Sequence, residues 1–217
     1  MDAIPFLPGQ SDEADDFINP AAFINTILGR HSVRRYKQEP VPRELIETLL
    51  NVAIHAPSAH NRQPWRFRVV REGEKSELAT AMGARLRRDR LADGDPTTAI
   101  EADAARSYAR ITSAPTLIVT SLSMEDMDHY RDGKRYQAEY LMAVQSVAMA
   151  GQNLLLSAHA LGLGACWVCA PLFCPDTVRA VLALPPNWQP QGMITLGYPE
   201  GAGKIRSRHP LHTCTQS

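Results

Sequence analysis

The stretch from Lys134 to about Leu161 is the longest helical pattern in the chain, and it is apolar or small around most of its surface. Met142, Val144, Val147, Leu154 and Leu155 supply bulk. Ala138, Ala143, Ala148, Ala150, Gly151 and Ala158 supply close approach. A helix dressed this way is buried on more than one side. Small side chains also let neighbouring helix axes come near. The stretch therefore predicts a central helix shared with a second copy of the chain, with the other elements arranged around it.

Those elements follow in order. Asn19 and Pro20 predict a helix start, cap and first residue, with Phe23, Ile24, Ile27 and Leu28 as its apolar face and Gly29 as its stop. A second helix begins at Pro42, where Leu45, Ile46, Leu49, Leu50 and Ala53 recur at helical spacing and Glu44 and Glu47 stay outside. Phe67 to Val70 reads as a strand. Residues 75–110 are polar helical material broken near Asp93-Gly94-Asp95-Pro96. Residues 115–120, 164–168 and 192–198 read as three more strands, with a helix from Cys174 or Pro175 to Leu184 before the last. The first twenty residues are acidic and broken by Pro and Gly, which predicts a flexible leader over 1–20 and a single domain over 21–217.

The 217 residues are enough to bury roughly 70% of the unfolded chain's surface without a disulfide or metal staple. Basic and acidic side chains balance at 23 each, which argues against a nucleic-acid partner. The charge is uneven, however. Arg30, Arg34, Arg35, Arg62, Arg66, Arg68 and Arg71 crowd the first third, and Arg206 and Arg208 lie near the end. The four cysteines do not form a secreted disulfide pattern. No signal-like start and no unbroken apolar run of about 18 residues appears. The expectation is a cytoplasmic protein that makes no use of a membrane.

Familiar catalytic devices are missing. No G-x-S-x-G elbow and no G-x-G-x-x-G after a strand is present. Cys166 and Cys169 are spaced as C-x-x-C, but on a strand that spacing sends the thiols to opposite faces, so no metal site is expected. What remains is a set of separated polar clusters. Arg30-His31-Ser32-Val33-Arg34 has the guanidinium forks and hydroxyl of an anion clamp, or is a solvated basic turn. Pro57-Ser58-Ala59-His60-Asn61-Arg62-Gln63-Pro64-Trp65 offers paired donors and acceptors for the edge of a heterocycle, or is a turn that satisfies its own backbone. Gly162 to Pro171 lets backbone come close to a ring, or is a strand start. Arg206-Ser207-Arg208 closes the series, as a further pair of anion contacts or as a basic tail. Together the clusters ask for one large, flat, phosphorylated ligand.

The order R-H-S-V-R-R-Y, P-V-P before a helix, A-P-S-A-H-N-R-Q-P-W-R-F, G-L-G-A-C-W-V, then G-Y-P and R-S-R resembles the nitroreductase family of flavoproteins over about residues 24–210. The A-P-S-A-x-N-x-Q-P-W block is the specific part. The resemblance implies an α+β nitroreductase-like fold, with a central, mostly antiparallel sheet flanked by helices, in an intertwined homodimer with FMN at the interface. It implies that Arg30, Ser32 and Arg34, with His31 between them, hold the FMN phosphate and ribityl chain. Arg206 and Arg208 complete the clamp, and Pro57, Ser58 and Asn61 line the flavin. The backbone of Cys166, Trp167, Val168, Cys169 and Ala170 runs beside the ring.

The flavin then carries the chemistry. NADH or NADPH gives it hydride, and a nitroaromatic, quinone or similar flat acceptor takes the donor's place in a ping-pong cycle. No side chain is expected to act as acid, base or nucleophile. The loop H-N-R-Q-P-W-R-F also resembles the flavin domain attached to the glutamate ligase of deazaflavin-coenzyme biosynthesis. That likeness implies an alternative, reduction of a deazaflavin precursor, with Arg62, Arg66 and Arg68 either serving a polyanionic tail or lying as strand-surface charges. Flavin fragmentation to a benzimidazole, and flavin binding without turnover, are further alternatives. Only a handful of residues follow Pro210, where family members often carry a longer arm around the partner subunit.

Overall fold

The computed structural model describes residues 19–216, so the predicted leader lies almost wholly outside the described residues. Six helices flank one sheet. They are α1 (Pro20–Gly29), α2 (Arg43–Ala53), α3 (Glu72–Ala92), α4 (Thr97–Thr112), α5 (Gly133–Ala160) and α6 (Pro175–Val181). The strands are β1 (Trp65–Val69), β2 (Thr116–Leu122), β3 (Gly164–Val168) and β4 (Gln189–Gly197). They lie in the order β1-β2-β4-β3, every pair antiparallel.

Alternation along the central strands divides the core. Leu117, Val119 and Met193 point to one face, where they meet Leu78 and Met82 of α3, Ile111 of α4 and Val178 of α6. Ile118, Ile194 and Leu196 point to the other, against Leu49 and Ala53 of α2 and Leu154 and Ala158 of α5. With both faces covered, β2 is buried along its whole length, which is why Leu117, Ile118 and Val119 at its centre are apolar on both faces. α3 and α4 join at Gly94 (φ +80°) and are laced by ions: Arg87 meets Glu101 at 2.8 Å, and Arg90 pairs with both Asp95 and Asp103. Lys75, in the predicted polar stretch, is buried instead. Its Nζ donates to Ala114 O at 2.6 Å and pairs with Glu72, tying α3 to the start of β2.

α5 is long and apolar enough by composition to cross a bilayer, but it lies in the core, as the sequence predicts. Ala143, Val147, Ala150, Gly151, Leu154 and Ala158 are buried against the sheet and α2. Its other side is open: Ala138, Leu141, Gln145, Ala148, Met149 and Gln152 form an exposed stripe at helical spacing. Gly151 is therefore not on the same side as Ala148. It makes room for Trp167 within the same chain. α1 begins as predicted, with Asn19 Oδ1 accepting from the N–H groups of Ala21 and Ala22 at 3.1 and 3.2 Å. None of its residues is buried, and Phe23, Ile24, Ile27 and Leu28 are all exposed.

Candidate functional site

The Arg30–Tyr36 segment is laid against β3 rather than left as a free turn. Val33 N donates to Ala165 O at 3.0 Å, and Ser32 bridges Ala165 in parallel register. Tyr36 anchors the far end. Its buried hydroxyl donates to Val33 O at 2.6 Å and shares a bond with Thr195 Oγ1 at 2.8 Å. Burial pushes this phenol's pKa well up, with the Thr195 bond opposing. Residues 200–208 then run alongside, starting where Glu200 N donates to Arg35 O at 3.0 Å. Gly203, at φ +68°, lies over His31, where any β-carbon would come within 2.5 Å of the imidazole Nε2. His31 Nδ1 is 3.0 Å from Gly29 O, and its ring meets His159 edge-on at 6.3 Å. Burial, then the neighbouring His31 and Arg30, holds the His159 imidazole below its ordinary pKa.

Between these segments is a cleft of about 720 Å³. Five predicted residues meet there: Arg30, Ser32, Arg34, Arg206 and Arg208, with His31 on the wall. Three cations the sequence reading did not assign join them: Arg35, Lys204 and, from the last turn of α4, Arg110. The single acid in the lining is Glu200. Most arginines elsewhere have a carboxylate partner. Among the described residues, the arginines with none within 4.0 Å are the six of this cleft and Arg131. Unpaired cations facing one another repel, and an anion with several oxygens relieves that repulsion.

A second cavity, of about 370 Å³, has the opposite character. Met82 and Leu86 of α3 and Ala170, Phe173 and Cys174 after β3 make it mostly apolar. Its charged residues are largely neutralised in place, Arg85 by Asp89 and Arg90 by Asp95, each at 2.5 Å. Burial pushes the Cys174 thiol pKa up. Two elements run past both the slot and the cleft. On α4, Ser107 lines the slot and Arg110 the cleft, one helical turn apart and so about 5 Å along the axis. Ala165 of β3 bridges Ser32 of the cleft wall, and Ala170, just past the end of that strand, lines the slot. The two cavities are separate but neighbouring, one lined by cations and the other mostly apolar.

The remaining predicted residues divide. Of the Cys166–Ala170 run only Ala170 lines the slot. Cys166 is buried in the sheet, with its Sγ donating to Trp167 O at 3.5 Å, while Cys169 is exposed. The Trp167 indole fills the hollow over Gly151 and Gly192, and its Nε1 donates to Cys169 Sγ at 3.2 Å. Val168 follows, half-buried on the end of β3.

Pro57, Ser58 and Asn61 line neither cavity. Ser58 Oγ accepts from Gln63 N at 3.0 Å and staples its own loop. His60, Asn61 and Gln63 all have φ near +50°, and the Asn61 side chain is exposed. This loop packs, through Ala56 and Ala59, near Ala143 and Val147 of α5. The cleft lies by His159 of that helix. From Val147 to His159 is about 18 Å of helix, so one chain does not bring the loop and the cleft together. Arg62, Arg66 and Arg68 are paired with Asp128, Asp126 and Glu74 at 2.5, 3.2 and 2.8 Å. Arg66 and Arg68 are surface charges of β1 and Arg62 lies in the loop before it, and a polyanionic tail finds no free cations there.

A sequence profile described as the Nitroreductase family matches residues 27–198. The chain belongs to the nitroreductase family. It is 31% identical over 210 residues to a Thermus thermophilus protein named NADH dehydrogenase, covering 85% of this chain and 90% of that one. Its fold is similar to that of a Desulfovibrio desulfuricans protein, assigned as a nitroreductase and solved in complex with FMN (28% identity, 93% and 98% of the two chains, TM-score 0.70). A BluB-like flavoprotein from Clostridium difficile 630 is also similar (25% identity, 89% and 97% of the two chains, TM-score 0.72). The α+β architecture is that of the nitroreductase fold. The profile match ends before Arg206 and Arg208, so part of the cleft's wall lies outside it.

Proposed function

We propose that the chain is an FMN-dependent oxidoreductase that uses NADH or NADPH to reduce a flat acceptor, a nitroaromatic or a quinone. The observation that carries this reading is a cleft of unpaired cations with an apolar slot one turn of α4 away. FMN has a matching division, a phosphate dianion at one end and, at the other, a flat ring system with apolar faces and a polar pyrimidine edge. The residues fit the group: Arg30, Ser32, Arg34, Arg206 and Arg208 would hold the phosphate and ribityl chain, and Met82, Leu86 and Ala170 would hold the ring. Arg110 lines the cleft one helical turn from Ser107 of the slot, so it would sit beside the middle of the ligand. When bound, FMN supplies two-electron transfer between a nicotinamide and the acceptor. The protein's part is to place the rings, exclude water and tune the flavin with fixed charge.

The second copy of the chain completes the site in this reading. The separation of Asn61 from the cleft supports it, because a partner can bring its own Pro57, Ser58 and Asn61 to the ring. The exposed α1 face (Phe23, Ile24, Ile27, Leu28) and the exposed α5 stripe are the surfaces such a dimer would cover. The free-cation requirement of the deazaflavin alternative is not met at Arg62, Arg66 and Arg68, and the reading with nicotinamide donors is preferred. The test is direct. Purified protein should be yellow, release FMN on denaturation, and bleach anaerobically with NADH or NADPH. A colourless protein that takes up no FMN would sink the proposal.

A further inference from the structure

Phe173 is 76% exposed, although its backbone is held firmly. It ends a single 3-10 turn, Ala170–Phe173. Leu172 N donates to Cys169 O at 3.0 Å and Cys174 N to Pro171 O at 3.2 Å, while the Cys174 thiol donates to Ala170 O at 3.6 Å. Pro171 and Cys174 on either side are buried. A lone exposed phenylalanine is unremarkable on a mobile loop. Here the ring is set by a locked turn and lines the apolar slot with Met82 and Leu86. Most of its surface stays open to a molecule arriving from solvent.

We propose that Phe173 is a specificity-determining residue, the platform at the mouth of the slot on which a planar aromatic acceptor stacks beside the flavin ring. This rests on the flavin reading above. Two features select the occupant. Both arginines that line the slot are neutralised in place, Arg85 by Asp89 and Arg90 by Asp95, so it offers no free cation to an anionic acceptor. An aromatic ring on a fixed turn also favours another aromatic ring, in offset or edge-on contact, over an aliphatic or compact inorganic acceptor. Such a pair is expected to change affinity by roughly 2- to 12-fold.

The experiment uses FMN-loaded protein, reduced anaerobically with dithionite and mixed in a stopped-flow instrument with 1,4-naphthoquinone or ferricyanide. Ferricyanide takes electrons without stacking and serves as the reference. In Phe173→Ala the rate-constant ratio, quinone over ferricyanide, should fall roughly 2- to 12-fold. Phe173→Tyr should keep the ratio near that of the parent. An unchanged ratio in Phe173→Ala overturns the inference. So does loss of FMN or a changed oligomeric state in that variant, because the ring would then be a flavin or subunit contact. If the parent protein takes up no FMN, the flavin reading itself has failed, and the two failures are told apart before the quinone is added.

Discussion

The indole of Trp167 occupies the space that a side chain on Gly151 would need, so β3 and α5 interlock through an absent β-carbon. A β-carbon on Gly192 would likewise come within 2.7 Å of the same ring. Gly151→Ala should therefore overpack the core and cost about 1–3 kcal/mol, lowering the urea midpoint. Trp167→Phe frees part of the space, so the double variant should lose less than the sum of the two singles. Additive losses in a urea double-mutant cycle would show that the two residues do not contend for one space.

Ala148 lies on the open side of α5, away from that interlock. Ala148→Trp is expected to leave the isolated fold's stability within about 0.5 kcal/mol. If the α5 stripe is the subunit contact, the variant should shift the protein from dimer to monomer in sedimentation and lose FMN at the same time. A variant that stays dimeric and yellow would place the contact on another face.

The cleft predicts a division among arginines. Arg30→Ala and Arg206→Ala each remove a charged hydrogen-bond donor that has no carboxylate partner, and each should weaken FMN binding by about 10- to 150-fold. Arg110→Ala belongs with them. Arg66→Ala breaks its pair with Asp126 and its bonds to the Gln63 and Trp65 carbonyls, none of them in the cleft, and should leave the FMN dissociation constant within about twofold. Fluorescence titration of the apoprotein with FMN separates the two groups. Equal effects at Arg30 and Arg66 would contradict the assignment.

How much of this was legible in the sequence depended on how local each feature is. Arg30, Ser32 and Arg34 are neighbours in the chain, and a strand-like segment alternates its side chains, so their grouping could be read directly. Arg206 and Arg208 were legible as a separate basic pair, and the family resemblance assigned them to the same clamp. Arg110 and Ser107 carried no local signal. Their placement depends on the rotation of α4 about its axis, which the ion pairs to α3 set. The apolar slot was invisible for the same reason, since it exists only where α3, α4 and the turn after β3 meet. The burial of α5 was legible from its composition. Which small residue faced which neighbour was not, because Ala148 and Gly151 are three apart and the answer lay with Trp167. The Pro57–Asn61 loop was recognised as unusual, yet its distance from the cleft becomes visible only once α5 is folded between them.

Tyr36 gives the site its most specific pH signature. Its hydroxyl is buried, holds Val33 O at 2.6 Å, and so fixes the backbone that carries Ser32 and Arg34. Tyr36→Phe leaves that carbonyl short of a donor and should cost about 1–3 kcal/mol near neutrality, with weaker FMN binding as the clamp loosens. The folded phenol's pKa lies above its unfolded value of about 10. Between the two values the unfolded state releases a proton that the folded state keeps. The phenol's contribution is therefore fully present below about pH 10 and is lost as pH rises above it, at up to about 1.4 kcal/mol per pH unit. The parent's stability advantage over Tyr36→Phe should shrink across that range, as read by urea unfolding at pH 8, 9, 10 and 11. An advantage that stays constant to pH 11 would mean that the phenol is not held neutral by burial, and that the clamp is anchored by the strand bridge at Ala165 instead.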